Sequence, residues 1–111
     1  MKIADIRRFA LSLPEVTEEP HFDSASFRVK GKIFATVPPE QKYLHVFVAG
    51  EELELMPAVQ PSAYEQLLWG KRVAGLRVRL SAAKSDEVKA LLRSAWRRKA
   101  PKRLAAALPD T

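Results

Sequence analysis

The stretch EEPHFDS sets His21 beside Glu18, Glu19 and Asp23, residue types that could hold a metal ion or exchange protons. A metal site needs several converging ligands, and acid–base chemistry needs a partner that the imidazole activates. All four residues lie on one short segment with no second histidine at a matching spacing. The plainer reading is a loop histidine that packs or donates one hydrogen bond. His45 is one position in the alternating run YLHVFV. Ser24, Ser26 and Ser62 lack the G-x-S-x-G setting of a nucleophile elbow. Gly70 and Gly75 are not spaced like a phosphate-cradling loop. The absence of cysteine excludes disulfides and thiolate metal sites. No catalytic constellation, metal site or cofactor is expected.

Cations are the other chemical resource. SFRVKGKIFATV places Arg28, Lys30 and Lys32 around Gly31, and WGKRVAGLRVRL carries Lys71, Arg72, Arg77 and Arg79. Arg77 and Arg79, two apart on a strand, share a face. If both stretches face the same way, seven cations converge, with Phe34 and Tyr43 among them. Such a surface would suit phosphates and bases; Arg and Lys are also ordinary occupants of a solvated strand face. The net charge is +6, with residues 1–65 summing to −3 and residues 66–111 to +9. This asymmetry points to an anionic partner for the second half. RRKAPKR, residues 97–103, is basic as well; cations at a helix C-terminus interact well with the helix dipole, and the run would add to an anion-binding surface only if it lies on the same side as Arg77.

The elements that must position these residues follow from periodicity. Ile3, Ile6, Phe9, Ala10 and Leu13 recur at helical spacing up to Pro14. PEVTEEPHFDSA reads as a connecting loop. A hairpin follows, and a three-residue turn at Val29-Lys30-Gly31 would pair Arg28 with Lys32 and Phe27 with Ile33. That register puts Phe27, Ile33, Ala35 and Val37 on one face and Arg28, Lys32, Phe34 and Thr36 on the other. A two-residue turn at Lys30-Gly31 would place Arg28 opposite Ile33 and mix charge into the apolar face. In YLHVFV, Leu44, Val46 and Val48 face one way and Tyr43, His45 and Phe47 the other. GEELELM is a short helix stopped before Pro57. Tyr64 to Trp69 is a strand or a turn of helix, Gly70 to Gly75 a basic loop, and Leu76 to Leu80 a strand. Ser85 caps a helix whose stripe is Val88, Leu91, Leu92, Ala95 and Trp96. Pro101 ends it and starts another. The expected architecture is a single α+β domain over residues 1–111, with a mainly antiparallel sheet packed by helices. The N-terminus lacks an apolar block of signal-peptide type, and no run reaches membrane-spanning length, so a cytoplasmic protein is expected.

Three segments, EEPHFDSASFRVKGKIFATV, WGKRVAGLRVRL and AWRRKAPKRLAAAL, together resemble the MmcQ/YjbR family over about residues 3 to 108. The matching positions are Pro20, His21, Phe22, Phe27, Arg28, Gly31, Lys32, Trp69, Gly70, Arg77, Trp96, Pro101 and Lys102. The resemblance implies a YjbR-like antiparallel α+β domain with a double-wing likeness to DNA-binding domains, and no catalytic residues. The expected function is non-enzymatic binding of DNA, duplex above all, with weak sequence preference. Arg28, Lys30, Lys32, Lys71, Arg72, Arg77 and Arg79 would make the contacts. The rival is a protein-interaction module that docks an acidic partner or a second copy of itself. A third reading is a small-ligand site around His21, bounded by Trp69.

Overall fold

The computed structural model describes residues 1–108. Elements follow in the order α1 (Ile3–Ser12), β1 (Val16–His21), β2 (Ser24–Val29), β3 (Lys32–Val37), β4 (Tyr43–Val46), α2 (Glu52–Val59), β5 (Tyr64–Trp69), β6 (Arg72–Arg79), α3 (Ser85–Lys99) and α4 (Lys102–Ala106). The six strands form one antiparallel sheet in the order β1-β2-β3-β4-β6-β5. Phe27, Val29, Ala35, Leu44, Val46, Leu76 and Val78 project from one face into a core closed by Ile6 and Ala10 of α1 and the stripe of α3. Trp96 is wholly buried there, and its indole Nε1 donates to the Pro14 carbonyl at 3.0 Å. α2 is joined to α3 by hydrogen bonds from Gln60 to Glu87 and from Ser94 to Glu52. The opposite face of the sheet carries Ser26, Thr36, His45 and Arg77 in one row across four strands.

The α1, α3 and α4 segments agree with the periodicity. Five details differ. PEVTEEPHFDSA is no loop, because β1 pairs with β2 along its whole length. Pro20 removes a donor, which an edge strand tolerates. The hairpin after it uses the two-residue turn, with Lys30 and Gly31 at φ of 51° and 80°, the pattern of a type I′ turn. Arg28 therefore lies opposite Ile33, while a bulge returns Phe27 to Ala35. The extra residue in β3 is Phe34, wholly buried rather than beside the cations. The bulge resolves the mixing of charge and core that an unbroken ladder would impose.

The residues 70–75 are no loop either, since β6 starts at Arg72 and pairs with β5. α2 runs through Pro57 to Val59. Proline there leaves the Leu53 carbonyl without its helical donor, and Gln66 Nε2 of β5 donates to that oxygen at 3.0 Å. Ser85 is the first residue of α3 rather than its cap, a position taken by Lys84 without a side-chain bond. No described helix is long and apolar enough to cross a membrane.

Candidate functional site

The seven cations separate into two groups once their partners are known. Arg28 is folded onto its own sheet, with Nε donating to Ser26 Oγ at 3.0 Å and Nη2 to the Pro20 carbonyl at 3.3 Å. Lys30 meets Glu15 at 3.0 Å. Arg77 donates from Nη1 to Glu65, its cross-strand neighbour on β5, at 3.1 Å. The Arg77 guanidinium also lies 3.8 Å from the centre of the Tyr43 ring. Arg79 stands 5.4 Å from the same ring. Lys32, Lys71, Arg72 and Arg79 have no ion pair among the described residues.

Lys32 opens β3 and Arg72 opens β6, so two hairpins remote in sequence each bring a cation to the same end of the sheet. The C-terminus of α3 brings two more. Arg98 donates from Nη1 to the Phe47 carbonyl at 3.2 Å, which pins the helix end to the chain leaving β4. Partial burial, followed by the charges of Arg98, Lys32 and Arg72, holds the Lys99 ammonium below its ordinary pKa. The crowding of positive charge is thus a physical property of this end of the molecule. Sequence reasoning favoured the helix dipole for Arg98 and Lys99 and made an anion-binding role depend on which side of the molecule they take. Their basic run was visible, but their convergence with Lys32 was not.

Three of these cations, Arg72, Arg98 and Lys99, line a trough of about 380 Å³ together with His21, Thr36, His45, Phe47 and Trp69. Among the described residues no carboxylate lines it. The Phe47 and Trp69 rings meet at 5.4 Å with a 57° tilt. Phe47 is buried, whereas Trp69 is 59% exposed. The chain leaving β4 can pass Gly75 only because that residue has no side chain: a Cβ would collide with the Val46 carbonyl and lie 3.0 Å from the Phe47 Cα. Gly75 therefore lets Phe47 form the aromatic wall. Burial, and secondarily the charge of Arg77, depress the His45 pKa below its ordinary value, which favours a neutral imidazole with one donor and one acceptor.

The arrangement is suited to binding. Among the described residues no hydrogen bond links a serine or threonine hydroxyl to His21 or His45, and no group of three or more potential metal ligands converges. Cations without neutralising carboxylates favour an anion, and an exposed indole favours a planar group. The third sequence reading placed a small-ligand site in the loop around His21, bounded by Trp69; both residues line the trough, with His21 at the end of strand β1 and exposed.

The family model for YjbR matches residues 11–98. The chain is also similar to a crystal structure of Deinococcus radiodurans protein DR2400, which carries the family-model domain DUF419. That likeness has a TM-score of 0.79 at 20% identity and covers 99% of this chain and 91% of the other. At that identity it shows the fold. No curated protein matches the chain.

Proposed function

The chain belongs to the YjbR family, and from that premise we propose that it binds DNA without catalysing a reaction on it, in the cytoplasm and with weak sequence preference. The observation that carries this reading is the convergence of Lys32, Arg72, Arg98 and Lys99 at one end of the sheet, with no carboxylate among the described residues lining the adjoining trough. Lys71, in the β5–β6 turn, extends the positive surface, whereas Arg79 closes β6 at the end opposite Arg72 and lies outside it. Arg28, Lys30 and Arg77 contribute less, because each is already engaged by its own sheet or a carboxylate. Contacts between cations and phosphates fix position and carry little base information.

Anisotropy titration of a labelled duplex at several salt concentrations tests the assignment. Each phosphate contact contributes about 0.9 to the slope of log K against log salt. Lys32→Ala combined with Arg72→Ala should therefore flatten the slope by about two and weaken binding throughout. Unchanged affinity and slope would remove these residues from the interface. A specific observation also favours the self-association reading. β5 is an edge strand, with Leu68 55% and Trp69 59% exposed, and exposed edges pair readily. Sedimentation without DNA distinguishes the two, because a DNA-binding monomer remains monomeric.

A further inference from the structure

We propose that the trough accepts one unpaired nucleotide, with its base against Phe47 and Trp69 and its phosphate held by Arg72, Arg98 and Lys99. This rests on the nucleic-acid reading and extends it from a charged surface to a site of defined chemistry.

Five features point to a nucleotide. The volume of about 380 Å³ lies within the ~300–1,000 Å³ of typical small-molecule sites, enough for a single residue of a strand and far too little for a duplex. The tilt between Phe47 and Trp69 prevents the two rings from covering each other as a parallel stack would. Trp69, mostly exposed on an edge strand, keeps indole surface available to a base. His21, Thr36 and His45 supply polar edges within the same trough, and the neutral His45 imidazole and the Thr36 hydroxyl each donate and accept, as base recognition requires. Finally, the cations border the trough rather than a distant patch. A phosphate on the same ligand can therefore meet Arg98, whose guanidinium uses one N–H on the Phe47 carbonyl and retains others. Burial first, and then the charges of Arg98, Lys32 and Arg72, depress the Lys99 pKa beside the trough.

A nucleotide could arrive free or within a strand, and the shared chemistry is a planar base linked to a phosphate. Trp69 provides the signal. Trp96, the second tryptophan, is wholly buried and remote from solvent quenchers. Emission is followed on adding adenosine monophosphate, a single-stranded ten-mer, the same strand with abasic residues, and the matching duplex. The single strand should quench Trp69 and bind about tenfold more tightly than the abasic strand, the scale of one base–aromatic stack. In anisotropy of labelled strands, used because these variants lack the Trp69 signal, Trp69→Ala should remove that preference and Trp69→Phe should retain most of it. Adenosine monophosphate should compete if free nucleotides are the ligand and fail to compete if a strand is required.

Equal binding of intact strand, abasic strand and duplex, without quenching, would overturn the nucleotide site while leaving phosphate binding intact. Failure of every polymer to bind at low salt would overturn the DNA reading. If adenosine monophosphate still quenched Trp69 in that case, the nucleotide site would survive as a free-nucleotide site.

Discussion

His45 and Arg77 face each other across the β4–β6 ladder, and the guanidinium acts on the imidazole. Burial depresses the His45 pKa first and the neighbouring guanidinium adds to it, so the folded protein holds this imidazole neutral where the unfolded chain would protonate it. Unfolding then takes up a proton, and the contribution to stability is present above the ordinary histidine value of about 6.5 and declines as pH falls below it. In an NMR titration, His45 should titrate below that ordinary value in the wild type and move upward in Arg77→Gln. Arg77→Gln should also show a shallower loss of stability between pH 7 and pH 5. An unchanged His45 titration would mean that burial acts alone. Alternation in YLHVFV and LRVRL was enough to place both residues on the polar face. The engagement of Arg77 by Glu65 could not be read, because Glu65 reaches it through a strand pairing that the local pattern around Tyr64 left ambiguous.

At the level of elements, two glycines act for different reasons, and substituting them should separate those reasons. Gly31 has φ +80 with open space where a Cβ would stand. Gly31→Ala should therefore cost roughly 1–2 kcal/mol of left-handed backbone strain and leave the trough unchanged. Gly75 has its side-chain position filled by the backbone of Val46 and Phe47. Gly75→Ala must part β4 from β6, at a cost of about 3 kcal/mol, and displace the aromatic wall. Urea midpoints should order the two variants this way. Base-dependent quenching of Trp69 should survive in Gly31→Ala and fail in Gly75→Ala. Equal costs with quenching retained would show that the sheet absorbs the added methyl. The helices were legible because burial on one side imposes a 3.6-residue period, which α1 and α3 keep. β1 was hidden because an edge strand beside solvent needs no apolar alternation. The β2–β3 register was misread because one inserted residue, Phe34, exchanges faces without any change in composition.

Across the whole molecule, the excess of acid in the first half and of base in the second is not simply a pair of oppositely charged poles. Carboxylates of the first half meet cations on their own side, Glu18 with Arg7 at 2.7 Å and Glu15 with Lys30 at 3.0 Å. Lys32, only two residues beyond Lys30, belongs instead to the unneutralised group with Arg72, Arg98 and Lys99. Reversing the charge of these two lysines should therefore have opposite effects on the fold. Lys30→Glu exchanges an ion pair for a repulsion against Glu15 and should lower stability by up to ~1 kcal/mol. Lys32→Glu relieves repulsion among cations and should raise stability by a few tenths of a kcal/mol, as charge sites kept for binding commonly do when they are removed. DNA affinity should fall in both variants through the lost net charge, and much further in Lys32→Glu, where a contact is also lost. Thermal melts at low ionic strength should show the opposite signs. At about 1 M salt, where screening is effective beyond roughly 3 Å, both differences should shrink toward zero. Equal destabilisation by the two substitutions would mean that the positive end carries no stored repulsion, and the electrostatic basis for an anion site there would be lost.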